Sequence, residues 1–386
     1  MRSYTILIIC ALLLAGCSLT PQSAAPSGQI SAIEAAGGSG AAGFARATAP
    51  RPFVFPQDHG PHQEFATEWW YYTGNLDTAE GRHFGFQLTF FRFGLAPQPP
   101  ERPSDWGAAN IYMAHFALTD AAGQKFYAFD RFSRGAAGLA GAQAEPFRVW
   151  LEDWSAEGVG GAPPMRLRAA QGGAAIDLTL EGGKPVVPQG DRGLSQKGPE
   201  PGNASYYYSL TRMPARGSIS AGGASYTVTG LAWMDREWST SSLSANLAGW
   251  DWFALQLSDG REVMYYQLRD KSGAADPLSA GTIIAADGTP QRFARADLTL
   301  DVLGTWQSPR SGGRYPSGWR LRIPSAALDL TVTPYLPDQE LALTTVYWEG
   351  ASKVGGTAGG QPVSGNGYVE LTGYAEQTGQ DNVRVR

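Results

Sequence analysis

Trp69-Trp70-Tyr71-Tyr72-Thr73, a polar stretch from Gly74-Asn75 to Gly81, and then Phe84-Gly85-Phe86-Gln87-Leu88-Thr89-Phe90-Phe91 form the segment that decides the fold. It reads as two aromatic strands joined by a polar loop, because large aromatic side chains suit a pleated, half-buried surface and Gly/Asn suit the turn between them. The unit returns as Trp250-Asp251-Trp252-Phe253-Ala254-Leu255-Gln256-Leu257, a turn at Ser258-Asp259-Gly260, and Val263-Met264-Tyr265-Tyr266-Gln267-Leu268. Each copy finishes on an arginine, Arg92 or Arg269. Further strand candidates lie at 112–118, 147–151, 175–180, 206–211, 226–233, 321–323, 327–332, 344–348 and 368–372. With 49 Gly and 26 Pro the chain is poorly suited to long helices. Many short strands predict an all-β protein, and the returning hairpin predicts two related β-domains in tandem.

Outward from this segment, the N-terminus has a different character. Arg2 precedes an apolar run over 6–14 that stops at Leu14-Ala15-Gly16-Cys17. A charged start, a short apolar stretch and small residues before a cysteine are the marks of a lipoprotein signal peptide spanning 1–17, with Cys17 as the acylated residue. Ser18 rather than Asp follows the cysteine, so the expected address is the cell envelope, lipid-anchored at the outer membrane and facing the periplasm. Residues 18–50 are mostly Ala, Gly, Ser and Pro, the composition of a flexible tether. The one other cysteine, Cys10, lies in the segment to be removed, so no disulfide is expected.

The chain carries 30 Lys+Arg against 35 Asp+Glu, with no basic cluster to neutralise phosphates, so nucleic acid is not an expected partner. No Gly-x-Ser-x-Gly elbow supports a serine hydrolase, and the 190–195 loop lacks the lysine of a phosphate cradle. Of the four histidines, His59 and His62 lie three apart and, with Glu68 or His115, could supply three ligands to a catalytic zinc; the alternative is that they are hydrogen-bond anchors. No metal or other cofactor is expected. Glu68, Glu237, Glu349 and Glu370 each sit near Trp or Tyr, and the expectation is that they meet arginines or backbone amides inside the domains. The abundant aromatics suggest an apolar cavity, with Trp70, Tyr72, Trp250 and Trp252 as candidate ligand-facing residues.

The phrases His59-Gly60-Pro61-His62, Glu68-Trp69-Trp70-Tyr71-Tyr72-Thr73-Gly74-Asn75-Leu76, Gly190-Asp191-Arg192-Gly193-Leu194-Ser195, Ala204-Ser205-Tyr206-Tyr207-Tyr208-Ser209, Trp233-Met234-Asp235-Arg236-Glu237-Trp238, Gly249-Trp250-Asp251-Trp252-Phe253 and Gly367-Tyr368-Val369-Glu370-Leu371-Thr372-Gly373-Tyr374 resemble the AttH-like family of predicted secreted hydrolases. That family is related to the carotenoid 1,2-hydratases. The resemblance implies two lipocalin-like antiparallel β-barrels in tandem, the first over 51–235 and the second over 236–386. It also implies a catalytic aspartate at Asp235. The hydratases protonate a carbon–carbon double bond and let water capture the cation, which requires an acid still protonated near neutral pH. The family's other functional positions, a His and a Trp two apart and a Tyr, fall on Tyr206, Tyr208 and Trp233, so the hydratase relay is not present in the same form.

Strand alternation puts Trp233, Asp235 and Glu237 on one face and Met234, Arg236 and Trp238 on the other. If Asp235 is an acid it should lie in an apolar cavity at the domain junction, with Tyr206, Tyr208 and Trp233 around it and no arginine partner. A salt bridge to a neighbouring arginine would instead make it structural. The expected function is therefore acid-catalysed chemistry of hydratase, isomerase or cyclase type on a hydrophobic small molecule. A non-catalytic carrier of an apolar ligand and a metal-assisted hydrolase are the alternatives. The sequence names no membrane transporter as a partner.

Overall fold

The computed structural model describes residues 42–98, 104–241, 243–244 and 246–375. The expected signal peptide, Cys17 and most of the expected tether lie outside the described residues. The part of that tether which is described is packed: Phe44 and Ala47 are buried, and the Tyr206 hydroxyl donates to the Ala49 carbonyl at 2.9 Å. The folded body therefore begins before Arg51.

The deciding hairpin forms as strands Thr67–Asp77 and His83–Gly94. The first strand runs four residues further than the sequence suggests, to Asp77, and the turn is confined to 78–82. There the Gly81 amide donates to the Thr78 carbonyl at 3.0 Å, with Gly81 at φ +81°, a backbone state that glycine enters without steric cost. The other neighbour of Thr67–Asp77 is Ala224–Ser239, the last strand of its sheet, paired antiparallel. The second sheet repeats this plan. Leu247–Leu257 lies between its hairpin partner Glu262–Asp270 and the last strand, Gln361–Leu371. The two antiparallel sheets form tandem lipocalin-like barrels. Ala224–Ser239 belongs wholly to the first barrel, so the passage between barrels falls after Ser239 and before Leu247, beyond the boundary at 235.

Alternation fills both barrels with side chains. Trp70, Tyr72, Leu88, Phe90, Phe116 and Met234 point into the first core, and Phe253, Leu255, Tyr265, Trp319 and Trp348 into the second. Each such burial contributes about 1.5–3 kcal/mol. The opposite faces of the same central strands are also withdrawn from water. Tyr71, Tyr207, Trp233, Trp252, Tyr266 and Tyr368 form a third apolar cluster, between the barrels. Close approach is permitted at Gly85, where a Cβ would stand 2.2 Å from that of Ala351. Lys184 bridges from the first barrel to Glu262 of the second at 2.7 Å, and Thr119 donates to Gln339 at 2.6 Å.

Candidate active site

Between the barrels lies an apolar cavity of about 140 Å³. Its floor is set by register. Ser209, Asp235, Tyr71, Thr89 and His115 are successive cross-strand partners, one row across four strand pairings of the first sheet. Two residues along, Tyr207, Glu237, Trp69, Phe91 and Met113 form the next row. Side chains two apart on a strand share a face, so both rows point the same way. The roof is the corresponding row of the second barrel, Tyr266, Trp252 and Glu370, and Glu349 continues that row behind it. Asp235 and Glu370 both stand on the last strand of their barrel, each opposite an aromatic residue of the first strand, Tyr71 or Trp252. The repeated hairpin thus contributes equivalent walls face to face.

Asp235 is 4 % exposed and receives three neutral donors. The Ser209 hydroxyl and the Trp233 indole N–H reach Oδ1 at 2.5 and 2.7 Å, and the Tyr207 hydroxyl reaches Oδ2 at 2.5 Å. Trp252 in turn donates to the Tyr207 oxygen at 3.2 Å. No salt bridge involves Asp235 among the described residues. Burial pushes its carboxyl up to about 7; the three donors offset part of that effect and the charge of Glu237 adds to it. Arg236, the neighbour that could have clamped it, points to the opposite face, where it meets Glu68.

Two further acids share the cavity. Glu237 pairs with Lys197 at 3.1 Å and accepts from Ser205. Glu370 accepts the Trp250 indole N–H at 2.6 Å and faces its cross-strand partner Glu349, which accepts from Tyr71 at 2.9 Å. Burial pushes Glu370 up to about 7. Glu349 is pushed well above the ordinary carboxyl range, first by burial and then by the charge of Glu370. The expectation that these glutamates meet arginines or backbone amides holds for Glu68 and is corrected for the rest: Glu237 meets Lys197, Glu349 meets Tyr71 and Glu370 meets Trp250, while Arg269 pairs at 2.8 Å with Asp251, which faces into the second barrel beside it.

The structure brings together Asp235, Glu237, Trp233, Trp250 and Trp252 and separates the other expected site residues from them. Tyr206 and Tyr208 are cross-strand from Trp238 and Arg236, so they share the face opposite to Asp235. Tyr208 meets His59 Nδ1 at 2.6 Å, and both tyrosines pack with Trp238 and Phe65. A shift of one residue along the strand exchanges the faces, and the structure places Tyr207 and Ser209 at the acid in their stead. For the same reason Trp70 and Tyr72 lie in the first core, while Trp69 and Tyr71 line the cavity. The ring of His62 stacks on Trp238 at 3.7 Å, with its nitrogens held by Asp58 and Glu68. Both loop histidines are thus hydrogen-bond anchors, and among the described residues no three His, Cys, Asp or Glu groups converge on a metal position. Lys197 and His115 also line the cavity; strand alternation would have offered His115 only once the pairing was known, and Lys197 lies just beyond the strand Leu194–Gln196.

Tandem β-barrels with a buried, arginine-free acid at their junction define the class. The chain belongs to the AttH-like family, whose profile it matches over residues 46–374. An AttH-type protein of Nitrosomonas europaea is 36 % identical and superposes with a TM-score of 0.76 over 86 % of this chain and 99 % of that one. Kievitone hydratase from Nectria haematococca shares the fold, at 17 % identity and a TM-score of 0.63 over 86 % of this chain and 98 % of that one. No curated protein matches the sequence.

Proposed function

We propose that this protein is an acid–base enzyme of hydratase type that binds an apolar, unsaturated small molecule between its barrels. The observation that carries this reading is Asp235, a buried carboxyl with neutral donors only, pushed up to about 7 in an aromatic cavity. A group half protonated near neutrality is suited to give a proton and to recover it. In the reaction, the Asp235 proton forms a C–H bond at one alkene carbon and the neighbouring carbon becomes cationic. Trp252 and Tyr207 line the cavity beside Asp235, and their aromatic rings are the groups that would stabilise that charge. Water forms the C–O bond and gives its extra proton to Glu237. A proton returned to Asp235 completes the cycle, so alkene and water become an alcohol. Kinship of fold with an enzyme named as a hydratase supports the reaction type.

The test is Asp235→Asn, which keeps the shape and removes the acid. Turnover of an alkene substrate found by screening should fall by about 10²–10⁴-fold with the fold and ligand affinity retained. Unchanged turnover would overturn the reading; ligand binding without turnover in either protein would leave a carrier in its place.

The same proposal places the enzyme at the cell envelope, anchored through an acylated Cys17, and its support is the Leu14-Ala15-Gly16-Cys17 sequence. Cys17→Ser should move the protein from the detergent phase to the aqueous phase. Persistence in the detergent phase would defeat the anchor.

A further inference from the structure

Two residues that line the cavity each carry a buried polar atom with no hydrogen-bond partner among the described residues: Nε2 of His115 and Oγ1 of Thr345. His115 is 1 % exposed and Thr345 2 %. Leaving such groups unpaired in an apolar place is costly, and native proteins rarely do so without a ligand or water to serve them. Neither is at the acid: the amide of Thr344, next to Thr345, donates at 3.0 Å to Asp130, the cross-strand partner of His115. His115 stands in the same cross-strand row as Asp235 but three strands away, so their backbones are separated by about 14 Å at ordinary strand spacing. The other ring nitrogen of His115 is engaged by the Tyr347 hydroxyl at 2.7 Å, which fixes the ring. Between the two ends the cavity wall is Trp69, Tyr71 and Phe91, without an ion pair.

We propose that this end of the cavity is a subsite for a hydroxyl group of the ligand, bound by His115 Nε2 and Thr345 Oγ1, so that the substrate is an oxygenated apolar molecule rather than a pure hydrocarbon. A hydroxyl is the group that serves both atoms. It donates and accepts, so it satisfies Nε2 in either tautomer of the neutral ring and matches the equally ambivalent threonine. The apolar span then carries the rest of the molecule to Asp235. This inference rests on the reading of the cavity as a substrate site, and it adds which chemical group the far end selects.

The probes are 4-ethylphenol and 4-ethyltoluene, which differ by a hydroxyl against a methyl of similar size. Without polar partners the more apolar 4-ethyltoluene should bind more tightly, because the phenol must give up its water. The expected result, by calorimetry on the mature protein, is tighter binding of 4-ethylphenol by about tenfold. His115→Phe and Thr345→Val should each remove that preference while 4-ethyltoluene affinity holds. Tighter binding of 4-ethyltoluene by the unmodified protein would overturn the subsite, and that comparison needs no variant. A preference that survives both substitutions would overturn it too. Asp235→Asn should leave the preference intact, so loss of the acid reading and loss of the subsite are read in separate experiments, turnover and probe selectivity.

Discussion

Glu68 and Asp235 lie on neighbouring strands of one sheet, and both carboxyl groups are shut away from water, yet the protein treats them in opposite ways. Glu68 is wholly buried between the guanidinium groups of Arg92 and Arg236, with His62 beside it. Burial alone would raise it; the two arginines override that and hold it well below the ordinary carboxyl range. Arg236 is itself stacked 3.9 Å over the Trp70 ring, which fixes the clamp. Asp235 has donors of comparable number, but all are neutral, and burial prevails. The charge of the partners therefore decides whether a buried acid is held ionised within the scaffold or keeps its proton towards neutrality. Position on opposite faces of the same sheet is what separates the two sets of partners.

The largest effect that would break this comparison is on the scaffold side. Glu68→Gln leaves two buried guanidinium groups without their counter-charge and should lower stability by about 3–5 kcal/mol, read by urea unfolding. A loss under about 1 kcal/mol would mean that the clamp is not structural.

The second effect is in the direction of pH dependence. Asp235 titrates higher in the folded chain than its ordinary 3.8, so its stabilising contribution is full below pH 4 and is lost as pH rises towards 7. Asp235→Asn has no such loss. Relative to the unmodified protein it should gain on the order of 2–4 kcal/mol between pH 4 and pH 8. Glu68, held low, contributes stability above its ordinary range that is lost on acidification, so Glu68→Gln should show the opposite slope. Parallel pH profiles for the two variants would erase the distinction between the sites.

The smallest effect separates adjacent tyrosines. Tyr207→Phe removes a donor that lowers Asp235, so the ionisation governing turnover should move up by roughly one pH unit or less. Tyr208→Phe removes only the bond to His59 and the loop beside it, and should cost about 1 kcal/mol of stability with the pH–rate profile unmoved. A displaced profile in Tyr208→Phe and not in Tyr207→Phe would reverse the assignment of faces.

What the sequence by itself determined is what depends on neighbours in the chain. Alternation placed Trp233, Asp235 and Glu237 on one face and Arg236 on the other, and the two aromatic hairpins announced two barrels. The phrase Trp233-Met234-Asp235-Arg236-Glu237-Trp238 singles out Asp235 by family resemblance alone. Tertiary structure alone decided the partners. Nothing local shows that Tyr71 rather than Tyr72 shares a face with Asp235, or that Tyr207 rather than Tyr208 reaches it, because a strand has two equivalent faces until pairing fixes its register. The opposing wall, with Trp252 and Glu370, comes from a barrel that begins only after the acid has been passed in the chain. Burial between the two barrels, which no single strand encodes, is what turns an ordinary aspartate into an acid near neutrality.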